Sequence, residues 1–513
     1  MPSPFVTRLA TFQRSGKLAV EDDVRRRSFA ELWDHAQRVR LALTEGAPSL
    51  EGRAVAILVS PGALWLEAFL GTILAGGVAL PLSPLYPPAE LAWFGEDARA
   101  AAVIVSDDQR ERGALLCEGR RVLSAETLAE GPRPEGDAAP LEPDDVALLL
   151  YTSGTTGKPK GAMITHGNVD VQAAILREAW AFSEEDRLLH ALPLHHLHGL
   201  GISLLTTLLA GASARLLPRF EARRVWEAFG APNGPTVWMA VPTMYQKLFE
   251  AFDAADEATR ARWASGARSL RLATSGSAAL PVTLAERWRS LTGAIPLERF
   301  GMTEIGVGAT NPLDPARRRP GSVGLPPRSV EARIVDEAGR DLDRGPGELW
   351  IRGPSVFKGY LGRDEATRDA FAEARWFRTG DVAERADDGF LRLLGRTSVD
   401  ILKSGGYKLS ALEIEEALRE NAAVAEVAVV GLPDEAWGEK VVAVVVPAPG
   451  RAAECAPDVL RAWAKERIAP YKVPREVIVA SALPRNALGK VVKPELVKAI
   501  QAGAVTPPLD VSR

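Results

Sequence analysis

Short apolar runs alternate with helix-patterned stretches from residue 28 to residue 300, and this alternation strongly limits what the chain can fold into. Residues 54–59 (AVAILV), 102–105 (AVIV), 146–150 (VALLL) and 271–274 (RLAT) read as buried strands, and residues 64–75 read as a helix. Strands separated by helices pair in parallel and need cover on both faces of their sheet. The stretches 28–145 and 146–300 therefore predict two α/β sheets in one large, multi-layer N-terminal body. The first helix signal is Ser28-Phe29-Ala30-Glu31, where a Ser and a Glu three residues on have capping-box spacing.

Residues 320–395 differ. Stretches 330–335, 347–351 and 390–394 are short strands between Gly, Pro and Asp turns, which predicts a small β-rich subdomain. After Gly395-Arg396 the pattern changes again, with helical residues 412–419 and 459–467 and strand-like residues 424–430 and 440–446. That tail is an α+β unit of about 115 residues, a size that folds alone. The expected division is 1–396 and 397–513, in a chain long enough for about three to four domain-sized units. Residues 130–143, rich in Pro, Gly and Glu, read as an exposed linker.

Composition removes several classes of function. Lys and Arg number 62 against 66 Asp and Glu, a net charge of −4, which argues against nucleic acid or an anionic membrane as the main partner. No apolar run reaches the roughly 18 residues of a membrane span. Cys117 and Cys455 lie far apart, with neither metal-ligand nor disulfide spacing, and this suits a reducing, cytoplasmic compartment. Arg8 and Arg14, with no acid before Glu21, have a faint organellar-presequence character, but the helix start at Ser28 leaves little room for a removable leader.

The run 146–150 opens directly into Tyr151-Thr152-Ser153-Gly154-Thr155-Thr156-Gly157-Lys158-Pro159-Lys160-Gly161. Glycines allow close backbone approach, and hydroxyls, amides and ammonium groups suit a polyphosphate. The spacing is not that of a Walker A loop. The competing reading is a surface loop of turn formers. Strand, glycines and lysines together favour a phosphate loop carried by Thr152, Ser153, Gly154, Thr155, Thr156 and Lys160.

This loop resembles the phosphate-binding signature of the adenylate-forming superfamily, which includes acyl-CoA and aryl-CoA synthetases, peptide-synthetase adenylation domains and firefly luciferase. The resemblance recurs in order at Gly276-Ser277-Ala278, Arg299-Phe300-Gly301-Met302-Thr303-Glu304, Thr379-Gly380-Asp381, Gly395-Arg396, Gly405-Gly406-Tyr407 and Pro484-Arg485-Asn486-Ala487-Leu488-Gly489-Lys490. It implies a large N-terminal body and a mobile α+β C-terminal lid that rotates between two half-reactions. It also implies ATP, Mg²⁺ and CoA. Lys490, Thr303, Glu304 and His196 would be catalytic, with Glu304 also the Mg²⁺ ligand. Gly276, Ser277, Ala278, Phe300, Gly301 and Met302 would line the adenine slot, with Phe300 where the family usually has Tyr. Asp381 would hold ribose, with Arg396 its partner reaching ribose or phosphate, and Gly405, Gly406 and Tyr407 would line the pantetheine path. Ser398 stands near the hinge, where many relatives carry Asp or Lys.

The acid pocket is read separately. Arg299 precedes Phe300, where many monocarboxylate enzymes have Gly, and a buried guanidinium there suits a distal carboxylate. His196, His198, Ser203 and Met302 complete the expected acid site. These features resemble malonyl-CoA synthetases, the mitochondrial type most of all, and imply malonate or methylmalonate as the acid. The rival for Arg299 is a structural ion pair with a neighbour such as Glu298, and the rival for His195 is an ordinary core or surface histidine. Fatty-acyl or aryl-CoA synthetases, and enzymes that load a carrier protein, remain as alternatives of the same chemistry.

Overall fold

A computed structural model describes residues 3–116, 119–132, 140–152, 159–404, 407–434, 437–485 and 491–505. The described chain is mixed α/β and divides into two compact units. The first comprises Met1–Leu280, Arg287–Ala332 and Ile351–Phe377; the second comprises Pro281–Glu286, Arg333–Trp350 and Arg378–Arg513.

Two sheets build the first unit. One has the strand order Gly359–Tyr360, Lys160–Thr165, Val146–Thr152, Val78–Pro81, Ala54–Leu58, Ala102–Val105 and Arg121–Ser124. Its strands from Val146–Thr152 to Arg121–Ser124 are parallel, and Lys160–Thr165 returns antiparallel. The other runs Gly306–Thr310, Leu297–Met302, Leu272–Ser275, Val237–Ala240, Arg187–His190, Ser213–Leu216, Leu18–Glu21 and Arg26–Ser28. It is parallel from Leu297–Met302 through Leu18–Glu21, with an antiparallel strand at each edge.

Helix starts follow local chemistry. Ser28 caps the helix Phe29–Thr44, its hydroxyl accepting from the Glu31 N–H while the Glu31 carboxylate accepts from the Ser28 N–H. The helix Ala63–Leu74 is buried at every position, and a Cβ at its Gly71 would run into Val39, so the glycine sets how closely the two helices pack. Under the second sheet, the Trp226 ring stacks at 5.9 Å on Trp263 and at 6.0 Å on Trp288.

In the second unit the strand order is Tyr407–Ser410, Ile401–Ser404, Gly438–Pro447 and Val424–Asp434, with Glu476–Val479 added parallel to Gly438–Pro447. Apolar side chains from the helices Ala411–Arg419 and Pro457–Lys465 close one face, and Leu496 of Lys493–Gln501 lies on the other. A further four-stranded sheet, Glu331–Val335, Gly347–Arg352, Phe377–Arg385 and Leu391–Arg396, falls largely in this unit. The strand pattern at Val491-Val492 amounts to a single bridge between Arg485 and Val491, because the helix Lys493–Gln501 follows at once.

Candidate active site

The predicted residues of the first unit sit where its parallel strands end. Thr152 closes Val146–Thr152, Gly276 follows Leu272–Ser275, Thr303 and Glu304 follow Leu297–Met302, and His195, His196 and His198 lie beyond Arg187–His190. In open α/β sheets, ligands bind beyond the carboxyl ends of the strands.

One cluster forms around Glu304, whose side chain is buried. Its Oε1 accepts from the Thr152 hydroxyl at 3.3 Å and from the Tyr360 hydroxyl at 2.9 Å. The Lys160 ammonium lies 5.2 Å from the centre of the Tyr360 ring. One backbone and one side-chain hydrogen bond fix the turn that carries the carboxylate: Phe357 N–H donates to Glu304 O at 2.8 Å, and the Ser355 hydroxyl donates to Ile305 O at 2.8 Å. Gly301 is required here, since a Cβ would collide with the Gly306 carbonyl across the hairpin. Thr303 and Met302 are half-buried beside it. Ser153, Gly154, Thr155 and Thr156 lie outside the described residues. Tyr360 was not singled out in the sequence, because it comes to Glu304 only by pairing with the return strand Lys160–Thr165.

A second cluster surrounds Arg299. Its side chain is buried, and its Nε and one terminal nitrogen have no hydrogen-bond partner among the described residues. Burial pushes its pKa down to about 10. A Cβ at Gly276 would sit on the guanidinium, so the glycine makes room for it. The expected rival, an ion pair with Glu298, does not form: neighbours on a strand face opposite sides, and Glu298 Oε1 accepts from the Leu280 N–H at 3.2 Å. Phe300, on the same side as Glu298 by alternation, is buried.

Ser277 takes a left-handed backbone (φ 68°), and its hydroxyl lies 3.0 Å from His198 Nδ1. Such a conformation in a non-glycine residue is strained and concentrates at functional sites. Ala278 is exposed. His196 and His195 are in ring contact at 4.2 Å, and Tyr86 lies edge-on to His195 at 5.5 Å. Burial, with His196 adding to it, holds His195 well below the usual histidine range. Ser203 is fully buried with its hydroxyl 3.3 Å from Nδ1 of His190, whose pKa burial lowers to about 4. Sequence reasoning gave His190 no role.

The remaining predicted residues belong to the second unit. Strand pairing puts Asp381 opposite Arg396. Arg396 Nε lies 3.0 Å from Asp381 Oδ1, and another of its nitrogens donates to Thr379 O at 2.7 Å. Tyr407 is 53% exposed and stacks at 4.4 Å on Tyr471. Gly405, Gly406 and Lys490 lie outside the described residues.

Known proteins give this arrangement a context. Residues 8–361 match the AMP-binding enzyme family, and residues 413–490 match the AMP-binding enzyme C-terminal domain. The mitochondrial malonate–CoA ligase ACSF3 of Mus musculus is 40% identical over 94% of this chain and 88% of its own. The malonate–CoA ligase of Arabidopsis thaliana is 39% identical over 89% of this chain and 79% of its own. Among solved structures, ATP-bound MatB from Rhodopseudomonas palustris superposes with a TM-score of 0.89 at 34% identity, covering 98% of this chain and all (100%) of that one. Motif order, two-unit fold and relatives agree, and the chain belongs to the AMP-binding enzyme family of adenylate-forming ligases.

Proposed function

We propose that the protein is an AMP-forming malonate–CoA ligase. Malonate attacks the α-phosphorus of ATP, giving malonyl-AMP and pyrophosphate. The thiol of CoA then displaces AMP to give malonyl-CoA. A carboxylate is a poor electrophile at neutral pH, and the mixed anhydride supplies a good leaving group.

The observation that carries malonate is Arg299. A buried guanidinium with N–H groups unbonded among the described residues is costly unless a ligand completes it. The distal carboxylate of a short dicarboxylic acid has the matching charge and forked geometry. His196, His198, Ser203 and Met302 are proposed to line the acid side. Malonate–CoA ligases among the relatives support this reading, and a solved malonyl-CoA ligase, 36% identical, holds methylmalonyl-CoA and AMP.

For the nucleotide, we assign Thr152, Ser153, Gly154, Thr155, Thr156 and Lys160 to the phosphates. Gly276, Ser277, Ala278, Phe300 and Gly301 are assigned to the adenine side, and Asp381 with Arg396 to ribose. Glu304 and the adjacent Thr152 hydroxyl form an oxygen donor set that fits Mg²⁺, an ion commonly held by one or two carboxylates plus substrate phosphates. When bound, Mg²⁺ would neutralise phosphate charge. Thr303 sits beside that carboxylate. Lys490 is proposed to bridge carboxylate and α-phosphate oxygens, where a cation opposes charge developing in the transition state. Gly405, Gly406 and Tyr407 are assigned to pantetheine, and residues 397–513 to a lid.

We also propose a cytoplasmic location. Cys455, buried as a free thiol donating to Ala423 O, fits a reducing compartment of this kind. No helix among the described residues is long and apolar enough to cross a membrane. Since the mouse relative is named mitochondrial, cell fractionation decides this point. The substrate test is acid-dependent ATP–pyrophosphate exchange with malonate, methylmalonate, acetate, butyrate, octanoate and benzoate. Malonate should lead; a clear preference for octanoate or benzoate would remove the assignment.

A further inference from the structure

The second unit holds a buried ion cluster outside the site described above. Lys493 Nζ lies 2.5 Å from Asp400 Oδ1 and 2.7 Å from Glu415 Oε1, and the three side chains are 10%, 12% and 5% exposed. Arg419 lies 3.1 Å from the other oxygen of Glu415 and 3.4 Å from Glu416. Glu415 also accepts from the Val429 N–H at 2.9 Å, which ties the helix Ala411–Arg419 to the strand Val424–Asp434.

Asp400 reaches in a second direction. Its Oδ2 accepts from the Arg396 backbone N–H at 3.0 Å, its own N–H donates to Arg396 O at 2.8 Å, and its carbonyl accepts from the Ala411 N–H at 2.8 Å. Arg396 is the residue whose guanidinium pairs with Asp381. Lys493 therefore sits one carboxylate away from the ribose-side pair. It is also the first residue of the helix Lys493–Gln501. Immediately before it, Val492 N–H donates to Pro484 O at 2.9 Å, Arg485 bridges Val491, and Arg485 lies 2.5 Å from Glu426. The flanks of the segment that carries Lys490 are thus fastened to the same core.

Burying three charges yields little net stability, since desolvation offsets much of their attraction, and a well-packed apolar set often does as well. What the cluster does supply is geometry: one ammonium fixes two carboxylates in a single arrangement. Burial opposes the charge on Lys493, but Glu415 and Asp400 outweigh it and hold the pKa above the ordinary lysine value.

We propose that Lys493 is a positioning residue for adenylation: through Asp400 it holds Arg396 in place against Asp381, so that nucleotide binding depends on a cation that never touches the nucleotide. This rests on the assignment of Asp381 and Arg396 to ribose. It also explains why a lysine rather than an apolar side chain begins the helix Lys493–Gln501.

The test is the double variant Lys493→Met/Asp400→Leu, which removes the buried pair together and leaves Glu415 with Arg419. Its melting temperature should stay near that of the parent. AMP affinity, read by calorimetry without any acid substrate, should fall about tenfold, the size expected when a charged hydrogen-bonding group is misplaced. ATP–pyrophosphate exchange should fall by at least as much, while the KM for CoA stays unchanged. A folded double variant whose AMP affinity and exchange both stay within twofold of the parent overturns the proposal. If the double variant folds poorly, Asp400→Asn decides. It keeps the shape but loses the charge that holds Lys493, so AMP binding should weaken by about threefold or more, and unchanged binding overturns the proposal. If malonate fails to support exchange in the parent enzyme, the substrate assignment falls, while the AMP measurement still judges Lys493.

Discussion

At the scale of single residues, two side chains give sharp tests. Arg299→Ala should remove the partner of a buried distal carboxylate, a loss of about 3–5 kcal/mol, or two to four decades in malonate turnover. Butyrate, which has no second carboxylate, should lose far less or gain. Equal losses for both acids, with a fall in melting temperature, would make Arg299 a structural residue. Tyr360→Phe tests a subtler role. The hydroxyl at 2.9 Å from Glu304 Oε1 orients the carboxylate, and losing one such bond costs about 0.5–1.5 kcal/mol. The concentration of Mg²⁺ needed for half-maximal exchange should rise several-fold with kcat little changed. An unchanged Mg²⁺ titration would remove Tyr360 from the site.

At the scale of elements, caps and tight hairpins carry local specifications that a sequence displays openly. The Ser28–Glu31 box is realised as the spacing predicts, and Ser28→Ala should destabilise by about 1 kcal/mol without altering kinetics. A urea midpoint equal to that of the parent would show that tertiary packing alone holds the helix Phe29–Thr44. The strand Val146–Thr152 and the helix Ala63–Leu74 are equally legible, because continuous apolar runs of those lengths have few other destinations. The edge strand Gly359–Tyr360 is not: two residues show no periodicity, and their pairing depends on a strand some two hundred positions earlier.

At the scale of the whole molecule, two properties follow from assembly. His166 and His190 are buried, and burial lowers both pKa values from 6.5 to about 4. Between those limits the unfolded chain binds protons that the folded chain does not. Stability must therefore fall as pH drops through that window, with a slope of up to about 1.4 kcal/mol per pH unit for each histidine. Urea unfolding between neutral pH and pH 4.5 should show this slope, and His190→Asn should make it shallower. An identical slope in the variant would mean that carboxylates dominate. The second property is the division of labour proposed between the body and the C-terminal residues. Lys490→Ala should lower acyl-AMP formation by about 10²–10³ while sparing thioester formation from supplied malonyl-AMP. Gly406→Leu should do the reverse. Parallel loss of both steps in both variants would argue against two separate roles.

The alternation of strands and helices and the helix cap at Ser28 were determined by sequence alone, because each depends on neighbours a few positions apart. Resemblance to the motifs of adenylate-forming enzymes nominated Thr152, Glu304, Asp381 and Arg396. Their partners were decided only by tertiary structure. Strand pairing brought Tyr360 to Glu304, put Asp381 across from Arg396, and turned Glu298 away from Arg299. Close packing left Arg299 against Gly276, and folding over ninety residues joined Lys493 to Asp400. Charge and hydrogen-bond satisfaction depend on which groups burial brings together, and no local pattern along the chain encodes that.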